Sequence, residues 1–353
     1  MFANNRLHAN RRVVRLTFAL LVASSGSVLS STGIPQDESK LAEEAAAGKP
    51  GENGSAAAKT SEIKLVHAGK EPGQALRLVV AKGTRQDVVL TSRHQRVQKT
   101  KGGVQIPPAK LPSRRTTIRI LVEDVAAGGD MTCRFTFLTA EPFDMEDVSP
   151  RVVKTVTEQA KAIQGYAGTM VLSNRGLVRS VGYDEPRVSL TPAQQMAIDG
   201  VKGMVKELAI PFPEEPVGIG GRWSVSRPVD NNGIRTVRVE TYELTKLENA
   251  TATVQVLVEQ TARNQQLPAA AGSKARVTIL SLESKGSGYR ILSLSNVVPR
   301  KGTLTVVVKG EMLMEYLGQK QERLIEERIL SEFVERNEKD ATAQESEAGR
   351  ATD

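Results

Sequence analysis

Two runs decide the fold: Ile234–Leu247, IRTVRVETYELTKL, and Ala250–Asn264, ATATVQVLVEQTARN. Both are rich in Val, Thr and Leu, and their apolar or β-branched residues recur at every second position, as in half-buried strands. The break between them is short. Antiparallel neighbours need only such a turn, whereas a parallel pair needs a long crossover. The same signature recurs at Trp223–Val229, Lys274–Leu282, Tyr289–Val297 and Thr303–Lys309, with Asn and Gly breaks between. The chain after Trp223 therefore reads as nearly all strand. Met312–Glu335 fits two patterns. Gln321–Glu335 (QERLIEERILSEFVE) has high helix propensity. Met312, Met314 and Tyr316, followed by Ile325, Ile329 and Phe333, also suit two long strands about Gly318-Gln319. The sheet leading into this stretch favours a hairpin, and the helix remains open.

Upstream, Ala75–Arg85 and Gln86–Gln98 read as a first strand pair. The prolines of Ile106-Pro-Pro-Ala-Lys-Leu-Pro112 bar a ladder there. Thr116–Val125 and Met131–Thr139 make a hairpin around Ala126-Ala-Gly-Gly-Asp130. Ser149-Pro150 predicts a capped helix with Val153, Val156, Ala160 and Ile163 on one face, ended by Gly165. Gly168–Ser173 and Leu177–Tyr183 form a hairpin about Asn174-Arg-Gly176. Thr191-Pro192 opens a second helix, with a stripe of Ala193, Ala197, Val201, Met204, Val205 and Leu208, stopped by Ile210-Pro211. These elements predict an α+β domain over residues 75–336: a large curved antiparallel sheet, half-barrel-like, with two main helices packed on it. Aromatics are 4% of the chain, so the core must be aliphatic.

Residues 1–15 are polar and cationic, Leu16–Leu29 is apolar and small-residue-rich, and Val28-Leu29-Ser30 offers small residues for cleavage. This is a secretory signal over residues 1–30, with an uncleaved membrane anchor as the alternative. The expected address is periplasmic or secreted. No cysteine lies near the cleavage region, which excludes a lipid anchor. Residues 31–74 read as a disordered spacer rich in Ala, Gly, Glu and Ser, and residues 337–353 as a solvated tail. Without Arg6, Arg11, Arg12 and Arg15 the formal net charge falls from +8 to +4, so nucleic acid is an improbable partner.

Chemistry is sparse. Cys133 alternates with Met131, Phe135 and Phe137 on one strand face and reads as a buried small hydrophobe. After the leader only His67 and His94 remain; neither has a second ligand at metal spacing, and Ser92-Arg-His-Gln-Arg96 reads as a solvated strand face. No Gly-x-Ser-x-Gly elbow is present, and so few histidines make a Ser/His or Cys/His nucleophile pair improbable. Gly218-Ile-Gly-Gly221 lacks the flanking strand and helix of a phosphate cradle and reads as a tight loop entering a strand. The carboxylates Asp144, Glu146 and Asp147, and the pair Glu214-Glu215, lie in Pro-bounded loops and read as solvated. The basic stretch Arg93–Lys101, with Arg114 and Arg115, has no interleaved aromatics for base stacking and reads as a charged sheet edge. No cofactor or metal site is expected, and no enzyme.

Asn174-Arg-Gly-Leu-Val-Arg-Ser-Val181, followed after the second helix by Pro211-Phe-Pro-Glu-Glu-Pro-Val-Gly-Ile-Gly-Gly-Arg-Trp223, resembles a family of exported bacterial proteins of unknown function, across residues 75–335. The layout is also similar to envelope carriers of the lipoprotein-localisation type, in which a curved sheet wraps helices around an apolar cavity. The resemblance implies a fold and an address, and no activity. Two functions are then open. One is a non-enzymatic structural or protein-interaction module of the envelope. The other is a carrier of a hydrophobic ligand, with Val201, Met204, Val205 and Leu208 lining a cavity and Trp223 at its rim.

Overall fold

The strand run after Trp223 assembles, as its pattern requires, into consecutive antiparallel neighbours. The computed structural model describes residues 61–106, 110–186, 189–231, 233–267 and 275–336. Its strands are β1 (Glu62–His67), β2 (Arg85–Thr100), β3 (Gln105–Ile106), β4 (Ser113–Val125), β5 (Met131–Phe143), β6 (Ala167–Leu172), β7 (Val178–Tyr183), β8 (Arg222–Asn231), β9 (Ile234–Glu248), β10 (Thr251–Gln266), β11 (Ala275–Ser293), β12 (Lys301–Tyr316) and β13 (Gln319–Glu335). They form one antiparallel sheet in the order β1-β8-β9-β10-β11-β12-β13-β2-β4-β5-β6-β7, with β3 beside β2. The sheet does not close into a barrel, because β1 and β7 remain its edges.

Helix α1 (Pro150–Ile163) starts at Ser149, whose side chain accepts from the Val152 amide, with Pro150 in the first turn. Its buried stripe is Val152, Val156, Gln159, Ala160 and Ile163, one position off the predicted start at Val153. Helix α2 (Pro192–Val205) opens with a reciprocal capping box between Thr191 and Gln194. It ends at Val205, so Leu208 packs from the turn beyond the helix rather than from its last turn. Tyr183 donates to the Lys202 carbonyl at 2.9 Å and ties α2 to the edge strand β7.

Several sequence expectations are corrected. Ala75–Arg85 is not the partner of Gln86–Gln98. The stretch from Leu76 to Val80 is extended and alternates in burial, but it makes only single contacts: Leu78 donates to Asn174 O and Val79 to Leu294 O. It crosses the core as a strap, and alternation alone cannot separate a strap from a laddered strand. The strap and the segment Ile210–Val217 join at Gln74 and Val217, and Arg77 donates to the Pro213 and Glu214 carbonyls. Lys274–Leu282 and Tyr289–Val297 are not two strands, because β11 runs unbroken from Ala275 to Ser293, with Lys274 outside the described residues. The glycines between them are not a turn. A Cβ at Gly288 would lie 1.9 Å from Thr303 O, so glycine there permits the close strand approach of a tightly curled sheet. The expected edge around Arg93–Lys101 holds on one side only: β13 pairs with β2 from Val88 to Thr100, whereas on the other side β4 stops at Ser92 and β3 pairs only Gln98 and Lys99, so among the described residues no ladder covers Arg93–Val97 there. β1 arises within the stretch read as spacer. The ambiguous Met312–Glu335 is a hairpin, since β12 and β13 pair from Lys301↔Val334 to Tyr316↔Gln319. The leader and the tail lie outside the described residues, as does Pro107–Ala109 of the proline loop.

Candidate functional site

The five residues considered as a cavity lining are Val201, Met204, Val205, Leu208 and Trp223. All are buried in one contiguous core. Trp223 is fully buried; its Nε1–H donates to Pro211 O at 2.8 Å, and its ring stacks on Tyr242 at 5.5 Å. Neither of the two recesses described below is lined by any of them. Cys133 is likewise buried, and burial, with Glu123 nearby, pushes its thiol up to about 12. Gly218 would place a Cβ 1.7 Å from Lys70 O, which accounts for the glycine cluster as a tightly packed loop entering β8. Among the described residues no group of three or more His, Cys, Asp or Glu is placed to hold a metal ion, and no helix is long and apolar enough to cross a membrane.

The polar chemistry lies elsewhere, on the inner face of the sheet. In strand register Arg227, Arg238, Gln260, Ser284, Val308, Glu327 and Arg96 form one row across seven strands. All but Val308 are polar, and all point inward. Burying such groups is costly unless they are paired. At one end Arg227 meets Glu240 at 2.8 Å, and Arg238 meets Glu207 at 2.7 Å and Glu240 at 2.9 Å. Tyr242 donates to Glu240 at 2.9 Å. Arg290 lies over the Phe333 ring at 5.4 Å.

At the other end the structure overturns the reading of Ser92–Arg96 as a solvated face. Ser92, His94 and Arg96 point inward beside Glu327. Ser92 Oγ and His94 Nε2 are 2.7 Å apart, and His94 Nδ1 and Glu327 Oε1 are 3.0 Å apart. Arg96 donates to Glu327 Oε2 from Nε at 3.0 Å and from Nη2 at 2.5 Å. Burial alone would raise the Glu327 pKa, but the hydrogen bond with His94 and the Arg96 charge outweigh it and hold the carboxyl below its usual range. An ionised Glu327 only accepts, so in this contact His94 Nδ1 is the donor. Arg114 faces Ser92 across the ladder, and desolvation brings its pKa down to about 10. The signal for this cluster was the Ser-x-His-x-Arg spacing, which puts three polar side chains on one strand face. Which face was not readable, because Arg93, Gln95 and Val97 on the other side are equally mixed.

Two recesses of about 810 Å³ each are present among the described residues. One, beside β2, is lined by His94, Arg96, Arg93, Lys110, Ser113 and the exposed loop Asp144–Glu146. The other is a groove across the outer face of β10, β11, β12, β13 and β2. There Glu283, Lys309, Glu326 and Val97 stand in one register row, and Ser281, Glu311, Leu324 and Lys99 in the next. Gly310, which has no side chain, stands in register between Leu282 and Ile325, and the groove reaches both. Compared with known proteins, the chain matches no family model and no curated sequence.

Proposed function

We propose that the chain is an exported interaction module of the cell envelope that docks a protein segment in the outer-face groove. The observation carrying this is the groove itself: a recess of about 810 Å³ over five neighbouring strands, with half-exposed Val97 and Leu324 among three cations and three anions. The cations are Lys99, Arg263 and Lys309, and the anions are Glu283, Glu311 and Glu326. Balanced charge around an apolar stripe suits a partner segment of mixed charge, and disfavours nucleic acid, which needs one sign. The ladder here is already satisfied, so recognition runs through side chains rather than strand addition. The buried position of the five candidate lining residues weighs against the hydrophobic-ligand alternative. The basic and apolar leader supports export.

The test is a photo-crosslinking amino acid placed at Lys309 in the native host, with the highly exposed Arg235 as control. A discrete adduct on the processed chain in the envelope fraction, formed from position 309 alone and abolished by Glu283→Lys with Glu326→Lys, is the expected result. Equal capture from both positions, or none, would overturn the docking reading, and an unprocessed chain starting at Met1 would overturn export.

A further inference from the structure

We propose that Ser92, His94 and Glu327 form a nucleophile–base–acid relay that hydrolyses small, polar carboxylic esters entering the recess beside β2. The inference is independent of the docking groove, which lies on the opposite face of the sheet. Three geometric requirements of such a relay are met. The serine oxygen reaches Nε2 of the imidazole at 2.7 Å, and the acid holds Nδ1 at 3.0 Å. The acid is itself fixed, because Arg96 binds the Glu327 oxygen that His94 does not use. Arg96 is thus a positioning residue. The recess reaches the relay from outside at His94 and Arg96, which line it, while Ser92 is buried two residues from His94.

The chemistry balances with water as the co-reactant. Ser92 Oγ forms a bond to the ester carbonyl carbon while its proton passes to His94 Nε2. Glu327 stabilises the resulting imidazolium. The carbonyl–alkoxy bond then breaks. The leaving alkoxide takes the proton from His94 and departs as the alcohol, leaving acyl-Ser92. Water adds to the acyl carbon and gives its proton to His94. The Ser92–acyl bond breaks, Ser92 regains the proton, and the carboxylic acid leaves. Nothing is oxidised or reduced. The lining sets the substrate class. Arg93, Gln95, Lys110, Asp144 and Glu146 outnumber the apolar Leu111 and Met145, so polar acyl groups fit and long alkyl chains do not.

The test uses the folded, processed chain and needs no variant for its first arm. Incubation with a small fluorophosphonate should give one stoichiometric adduct, mapped by mass spectrometry to the peptide carrying Ser92. The adduct should vanish in His94→Gln with the far-UV circular dichroism unchanged. Hydrolysis of p-nitrophenyl acetate should fall by about a hundredfold or more in Ser92→Ala. An unlabelled Ser92 in the folded wild-type chain, or hydrolysis unaltered by Ser92→Ala, would overturn the proposal and leave the cluster as a buried structural network.

Discussion

Glu240→Gln should destabilise the fold by about 3–5 kcal/mol, the cost of removing one partner from a buried ion pair and leaving the other charge uncompensated. Glu240 is the hub of its cluster. It meets Arg227 at 2.8 Å and Arg238 at 2.9 Å, and accepts from Tyr242. The amide would keep much of the shape and lose the charge, leaving Arg227 and Arg238 without the carboxylate that bridges them, with Glu207 still at 4.0 Å from Arg227 and 2.7 Å from Arg238. The effect should depend on pH. Burial alone would raise the Glu240 pKa, but the charges of Arg227, Arg238 and Arg290 and the Tyr242 hydrogen bond hold it at about 2, below the ordinary 4.5. A carboxyl depressed on folding contributes stability above its unfolded value and loses it as pH falls through the folded value. The wild type should therefore lose this contribution between about pH 4.5 and about pH 2, and its advantage over Glu240→Gln should shrink across that interval. Chemical denaturation of both chains at neutral and acid pH measures it. A gap that stays constant with pH would show that Glu240 is not held ionised by its arginines.

Trp223→Ala is the second large effect, at about 3–5 kcal/mol for loss of a fully buried aromatic. Its ring lies between Phe212 at 6.0 Å and Tyr242 at 5.5 Å, and its N–H satisfies Pro211 O. The residue therefore joins the segment after α2 to the sheet, and through Tyr242 it touches the ion cluster. Because the two sites share Tyr242, Trp223→Ala and Glu240→Gln should not be additive. The denaturant midpoint reports the single effect, and an unchanged midpoint would mean that the tryptophan is not part of the core.

The legible part of the fold was what local chemistry encodes. The turn Ala126–Asp130, the turn Asn174–Gly176 and the caps Ser149 and Thr191 each placed an element correctly. The β12–β13 hairpin was also favoured, because a sheet led into it. The illegible part depended on packing at a distance. Leu76, Leu78 and Val80 alternate as a strand would, yet the backbone partners of this segment are loop carbonyls, Asn174 O and Leu294 O. Gly286 and Gly288 look like a turn until the neighbouring strand, close enough to exclude a Cβ, is seen. The polar row escaped for a related reason. Both faces of β9 mix charge with Val, Thr and Tyr, so the inward direction of Arg238 and Glu240 is set by strand pairing and not by pattern. His94 was hidden in the same way, between two arginines on a strand whose inward face no local signal announced.

The central claim is that the space between the sheet and α2 is filled by the protein's own side chains, Val201, Met204, Val205, Leu208 and Trp223 among them, so that no hydrophobic ligand is held there. Native mass spectrometry of the chain purified from its own host, under conditions that preserve lipid adducts, tests it most directly. The account predicts the mass of the processed polypeptide with no co-purifying lipid. A stoichiometric lipid adduct, lost when Val205→Phe fills the space beside the second helix, would contradict it and restore the hydrophobic-ligand carrier.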